Sequence, residues 1–130
     1  MTANDVEMIH DRQLRAFGGL AGVKDPNLLH SAVAAPRNLF LYDEEEDVLA
    51  LSVKLCFALA MNHPFVDGNK RTATSSMVEF LARNGLELLV PDDEAETPLL
   101  GQWIEKLVRG DLTSDQLLDR LEPFVQSTTD

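Results

Sequence analysis

The chain has 130 residues with a net charge of −11, and 45% of its residues are hydrophobic against 25% charged. This length suits one domain over residues 1–130, and the composition is that of a globular protein rather than a disordered one. The acidic balance argues against nucleic acid as a direct partner, because such binding relies on cations that neutralise phosphates. The longest apolar stretch is shorter than the ~20 residues of a membrane helix and a signal-peptide core is absent, so we expect a cytoplasmic protein with no membrane contact.

The first part of the chain predicts two helices around a glycine-rich connection. An imperfect apolar stripe marks the first helix, from Asp5 to Ala16. The connection, Phe17 to Gly22, contains three glycines, and it lacks the strand-then-helix setting of a dinucleotide fingerprint. Asp25-Pro26 provides the cap residue and the proline that start a second helix.

The second helix is expected to end at Ala35, because Pro36 cannot continue the hydrogen-bond ladder. Arg37 to Tyr42 is then interpreted as a loop or flap beside the site, where Arg37 either faces an anionic ligand or lies on the surface. Asp47 to Met61 is apolar on nearly every face, which predicts a helix at the centre of the fold with Cys56 buried in it.

Three more helices are predicted in the second half, one from Asn69 or Lys70 to Asn84, one from about Ala95 to Arg109, and one that begins at Thr113. Gly85 closes the first of these. Between them, Leu86 to Val90 is a short apolar run that fits an extended segment or a β-flap. The total is six helices, which predicts an all-α fold with at most a short β-flap.

The loop between the two central helices, His63 to Ala73, concentrates the chemistry of the chain. A helix that starts at Asn69 or Lys70 points free N–H groups and a positive dipole end at this loop, and Lys70 and Arg71 add two full charges. Asp67 lies just before that start, where its carboxylate can hold Mg²⁺ together with water and phosphate oxygens. One histidine and one acid are too few for a zinc site, and the loop has no Walker-type pattern.

His63 lies at the other end of the loop, and it is suited to accept a proton from an incoming hydroxyl. Phe65 would anchor the loop in the core. A base, a metal carboxylate and an anion site together predict phosphoryl or nucleotidyl transfer. The structural alternative is that Asp67 and Asn69 merely cap the following helix, but a structural turn has no need of two consecutive cations.

These residues resemble the Fic/Doc family, and specifically its Doc, or death-on-curing, branch. The loop follows the pattern H-x-F-x-D-[G/A]-N-K-R-T-A. Similarity extends over nearly the whole chain, through His10-Asp11, Phe17 to Gly22, Asp25-Pro26, Leu28 to Ala32, Phe80 to Gly85 and the two closing helices. The resemblance implies an all-helical protein that uses Mg²⁺ to transfer part of a nucleoside triphosphate such as ATP to a protein hydroxyl.

The resemblance also implies a role for each residue of the motif. His63 would be the general base, Asp67 the Mg²⁺ ligand and Phe65 the buried anchor. The phosphates would be held by Gly68, Asn69, Lys70 and Arg71.

Two positions depart from the wider Fic pattern H-P-F-x-[D/E]-G-N-G-[R/K]-x-x-R. Lys70 replaces the second glycine, and Thr74 stands where the final arginine would be. Both departures put AMP transfer in doubt. The Doc branch shares them and is associated with transfer of a phosphate to a threonine of elongation factor Tu, which arrests translation.

The resemblance further implies a toxin that is neutralised by a separate antitoxin, whose disordered segment folds over the site. The self-inhibitory pattern of the family, [S/T]-x-x-x-E-[G/N], does not occur, because no Glu in the chain is followed by Gly or Asn. The expected protein substrate is a translation factor. The alternatives are AMP transfer, a catalytically silent binding module that keeps the fold, and a toxin directed at nucleic acid, which the acidic charge disfavours.

Overall fold

The computed structural model describes residues 1–91 and 98–128. These residues form six α-helices and one two-stranded sheet, which confirms the predicted all-α fold. The helices are α1 (Ala3–Phe17), α2 (Pro26–Tyr42), α3 (Val48–Asn62), α4 (Asn69–Arg83), α5 (Leu99–Arg109) and α6 (Ser114–Leu121). The expected start of the fifth helix at Ala95 lies outside the described residues. None of the helices in the described ranges is long and apolar enough to cross a membrane.

Helix α3 is the centre of the core. Eight of its fifteen residues are buried, and α2, α4, α5 and α6 all pack against it. Such all-round burial is what its nearly continuous apolar sequence predicts. Cys56 is fully buried here, as expected. Because α3 and α4 pack against each other, the loop that joins them, residues 63–68, is held at the edge of the core.

Helix α2 does not end before Pro36, so the predicted end at Ala35 is wrong. It continues to Tyr42, and the proposed loop or flap at Arg37 to Tyr42 is therefore the last part of this helix. A proline costs a helix interior about 3 kcal/mol. Leu29, Ala32 and Pro36 form one buried face along α2, which packs on α3, so burial of the proline and of the face before it offsets the lost backbone bond.

The sheet joins two segments that are distant in the sequence. Strand β1 (Leu86–Leu88) pairs antiparallel with β2 (Val125–Ser127), so that Glu87 lies opposite Gln126. The extended segment after α4 was predicted, whereas its partner strand was not. A single 3₁₀ turn, Glu122–Phe124, leads from α6 into β2. Of the local signals, the capping box of Thr113 and Gln116 and the left-handed Gly85 after α4 are confirmed.

Candidate active site

The candidate site begins with the uncapped start of α4. The helix starts at Asn69, one of the two predicted positions, and Gly68 precedes it with a φ of 76°. No side chain among the described residues caps this start. The structural alternative, in which Asp67 and Asn69 cap the helix, is therefore wrong, and the first N–H groups of α4 remain available to an anion.

Asn69 instead ties the loop together. Its side-chain NH₂ donates to the carbonyl of Phe65 at 2.9 Å, and its Oδ1 accepts from the N–H of Phe65 at 3.0 Å. The same NH₂ lies 3.4 Å from Nδ1 of His63. The bonds to Phe65 fix the orientation of the amide, so the neutral tautomer of His63 that fits this contact carries its proton on Nε2. At 3.4 Å the contact orients the ring and restrains it only weakly.

Asp67 is held by three hydrogen bonds. Its Oδ1 accepts from the N–H of Gly68 at 2.8 Å, and its Oδ2 accepts from the N–H of Leu20 at 3.2 Å. Its main-chain carbonyl accepts from Nε2 of His10 at 2.7 Å. The residue is exposed, and each carboxylate oxygen has a second lone pair. The carboxylate is thus oriented by the protein and still able to bind a cation.

The segment that follows α1 runs antiparallel to the loop and is hydrogen-bonded to its backbone. Val23 and Phe65 form an antiparallel bridge, and the N–H of Val66 donates to the carbonyl of Gly22 at 3.1 Å. Phe65 is buried, as predicted for the anchor, and its ring stacks on the ring of His10 with 3.9 Å between centroids. Helix α1 and its following segment therefore fix the loop from one side.

The two cations of the motif point to different neighbours. The ammonium of Lys70 forms an ion pair and hydrogen bond with Glu105 of α5, and this bond lowers the pKa of the Glu105 carboxyl. The guanidinium of Arg71 lies 4.3 Å above the ring of Phe17, at the end of α1. Arg71 makes no ion pair with a described residue, so its full charge is available beside the start of α4.

The donor set fits Mg²⁺ better than a metal that needs a protein cage. In the described part of the chain, no three His, Cys, Asp or Glu side chains lie together in a group that could hold a metal. Mg²⁺ is usually bound by one or two carboxylates, with waters and substrate phosphates in its other positions. Asp67 beside the free N–H groups of α4 suits that chemistry, with the carboxylate for the cation and the helix start for the phosphates.

Most of the predicted site residues come together, and two residues were missed. His63, Asp67, Gly68 and Asn69 lie in one hydrogen-bonded loop, with Arg71 next to it. Lys70 faces α5 through Glu105. His10 and Leu20 were not predicted, because their contacts with Asp67 span 57 and 47 residues of sequence. The three closely spaced glycines were the one sequence signal that pointed to a close backbone approach there.

Comparisons with known proteins agree with this motif. The model of the Fic/DOC family matches residues 1–81 of the chain. The protein kinase doc of Escherichia phage P1 is 29% identical over 113 residues, which cover 87% of this chain and 85% of that protein. The toxin Doc of Mycolicibacterium smegmatis is 40% identical over 79 residues, which cover 60% of this chain and 61% of that protein. The chain therefore belongs to the Fic/Doc family and, as its motif predicted, to the Doc branch.

Proposed function

We propose that this protein is the toxin of a toxin–antitoxin pair and that it transfers a phosphate from ATP to a Ser or Thr hydroxyl of another protein. By resemblance to the Doc branch, the substrate would be a translation factor such as elongation factor Tu. The observation that supports the proposal is the contact between His63 and Asn69, because an imidazole beside the uncapped, positive end of α4 could act as the base there. The names of the two relatives, a protein kinase and a toxin, support the same activity.

Each residue of the loop then has a chemical task. The imidazole of His63 takes the proton of the attacking hydroxyl on Nδ1, the nitrogen without a proton in the tautomer above, and gives up its weak 3.4 Å contact with Asn69. The free N–H groups of the first turn of α4, from Asn69 to Arg71, with the guanidinium of Arg71, bind the phosphates. Asp67 would hold Mg²⁺, which would neutralise charge on the transferred phosphate. His63, Asp67 and Arg71 are all exposed, which suits a site that must admit a folded protein as substrate.

Two positions support phosphate transfer over AMP transfer. Thr74 replaces the final arginine of the wider Fic pattern, and its hydroxyl donates back to the carbonyl of Lys70 at 2.9 Å. Lys70 is engaged by Glu105 of α5. The site therefore has fewer cations for holding a whole triphosphate in the AMP-transfer orientation.

An antitoxin is part of this proposal. The chain lacks the self-inhibitory pattern, and three apolar side chains around the loop, Phe17, Leu20 and Val66, are 50% or more exposed. We propose that a disordered segment of a cognate antitoxin folds over this surface. Apolar groups around a polar site are typical of a surface that a partner covers.

The test is the fate of labelled ATP. Purified protein is incubated with elongation factor Tu, Mg²⁺ and ATP labelled at either the γ or the α phosphate. We expect label on the factor from the γ position only, and a decrease of about 10² to 10⁴ in rate for His63→Ala. His30→Ala, which removes an exposed histidine of α2, is the matched control and should keep full activity.

The other outcomes each identify an alternative. Label from the α position alone would replace phosphate transfer by AMP transfer. Growth arrest that persists in the His63→Ala variant would indicate a binding module that acts without catalysis.

A further inference from the structure

We propose that Gly19 and Leu20, within the glycine segment Gly18 to Gly22, are positioning residues that set the direction of the Asp67 carboxylate and thereby its affinity for the metal. This inference rests on the proposed function, in which Asp67 binds Mg²⁺. It assigns a role to residues outside the motif. None of the glycine-segment residues is placed at the reacting atoms.

The first argument is the hydrogen bond from Leu20 to Asp67. The N–H of Leu20 donates to Oδ2 at 3.2 Å, while the N–H of Gly68 donates to Oδ1 at 2.8 Å. One donor on each oxygen fixes the plane of the carboxylate, since rotation would break at least one bond. Partners of this kind, which orient a metal ligand, typically change metal affinity about 10- to 100-fold when they are removed.

The second argument is the lack of space at Gly19. A Cβ at this position would lie 2.9 Å from Oδ2 of Asp67 and 3.0 Å from Cδ2 of Leu14. Gly19 also has a φ of 121°, which side-chain-bearing residues rarely adopt. The close approach of backbone and carboxylate therefore depends on glycine. Any side chain there would push the carboxylate away from the position that Leu20 and Gly68 define.

The third argument is that the glycine segment is anchored at both ends. The N–H of Gly18 donates to the carbonyl of Leu14 at 2.7 Å, and the carbonyl of Gly22 accepts from the N–H of Val66 at 3.1 Å. The donor of Leu20 thus has a fixed place relative to the loop. A donor with a fixed position can orient the Asp67 carboxylate, whereas a donor on a flexible turn would move with the carboxylate.

The test compares alanine at two neighbouring glycines. Gly19→Ala and Gly18→Ala both introduce a side chain at a positive φ, but a Cβ at Gly18 meets nothing within 4 Å. The measured quantity is the Mn²⁺-dependent affinity for a non-hydrolysable ATP analogue, followed by the electron paramagnetic resonance of Mn²⁺ without any turnover. Thermal unfolding of each variant records the stability loss that both share.

We expect Gly19→Ala to weaken the Mn²⁺-dependent affinity by about tenfold or more, and Gly18→Ala to leave it within about twofold of the native protein. Equal effects of the two variants would overturn the positioning role. Asp67→Asn separates the two proposals. If that variant binds Mn²⁺ and nucleotide as the native protein does, the metal assignment in the proposed function is wrong and the positioning role falls with it.

A backbone variant keeps the test decisive if Gly19→Ala does not fold. Replacement of Leu20 by its α-hydroxy acid removes the N–H and adds no atom next to Asp67. The expected loss of Mn²⁺-dependent affinity is again about tenfold or more. An unchanged affinity in this variant would contradict the role of the Leu20 hydrogen bond.

Discussion

Asn69 connects the two ends of the loop between α3 and α4 through a single side-chain amide. Its bonds to the N–H and carbonyl of Phe65 pair two backbone groups beside a side chain that is only 1% exposed. Asn69 itself is buried. The sequence predicted a phosphate contact for this residue, and that contact stays a prediction. What the structure adds is that the loop's shape depends on the residue before any ligand binds.

Asn69→Ala should therefore destabilise the protein as well as the site. Two buried backbone groups of Phe65 would lose their partners, which costs about 2 to 4 kcal/mol of the free energy of unfolding. Asn84→Ala is the matched control, because Asn84 makes one exposed bond to the carbonyl of Phe80. We expect that control to cost about 1 kcal/mol or less in urea unfolding. Equal losses in both variants would contradict the role of Asn69.

A candidate site could be predicted from the sequence because its residues lie within nine positions of one loop, and their assignment to a reaction stays a prediction. The side-chain types of His63, Asp67 and Arg71 suggest their chemistry even before the fold is known. The partner of Lys70 could not be predicted, since Glu105 is 35 residues away and the sequence offers nine other glutamates and twelve aspartates as candidates. The contribution of His10 was hidden for the same reason, because one helical histidine has no local feature that marks it as a neighbour of Asp67.

At the scale of elements, α1 does more than its sequence suggested. Its imperfect apolar stripe predicted a helix, and the structure adds that Val6 and Ile9 are buried in the core. The same helix brings His10 to the loop, and Phe17 at its end lies under Arg71. At its other end, Asp5 forms an ion pair with Arg83 of α4 at 3.2 Å. Helix α1 is thus attached to α4 at both ends of its length.

The attachment through Asp5 predicts a pH dependence of stability. Hydrogen bonds from the backbone and side chain of Thr2 and from Arg83 lower the pKa of Asp5 to about 2. Since this is below the ~3.9 of an unfolded aspartate, the stabilisation is fully present above about pH 4 and is lost as the pH falls towards 2. The melting temperatures of the native protein and Asp5→Asn should therefore differ above about pH 4 and converge between about pH 4 and 2.

Asp11→Asn is the control for this comparison. Asp11 is an exposed acid on α1 whose carboxylate has no hydrogen bond or ion pair within residues 1–91 and 98–128. The melting temperature of Asp11→Asn should therefore differ little from that of the native protein at every pH. If the difference in melting temperature between the native protein and Asp5→Asn stays constant down to about pH 2, the charge of Asp5 does not contribute to stability.

The helices were predictable because each carries its own signals, as the apolar run of α3 and the capping box of Thr113 show. Two features could not be predicted, the continuation of α2 past Pro36 and strand β2, and both depend on contacts between distant residues. A proline usually ends a helix, but burial of Pro36 against α3 outweighs that local preference, and α2 continues. Strand β2 is three residues long and is defined only by β1, which lies about 39 residues earlier.

At the scale of the whole molecule, stability depends on the packing around α3. Cys56 lies at its middle and is 0% exposed, with helices on several sides of α3. Burial raises the pKa of its thiol to about 12. The native thiol is therefore both shielded and protonated near neutral pH, so it can report when the core opens.

Cys56 should accordingly be unreactive in the native protein and reactive only through unfolding. With a pKa of about 12, about 10⁻⁴ of the thiol is ionised at pH 8, and reagents such as Ellman's reagent need the thiolate and access to it. We expect no labelling under native conditions and full labelling in concentrated guanidinium. At guanidinium concentrations within the unfolding transition, the labelling rate should follow the unfolded fraction. Asp119→Cys in a Cys56→Ser background places a thiol on the exposed face of α6 and should react at once. Rapid labelling of Cys56 in the native protein would show that the core around α3 opens locally, without global unfolding.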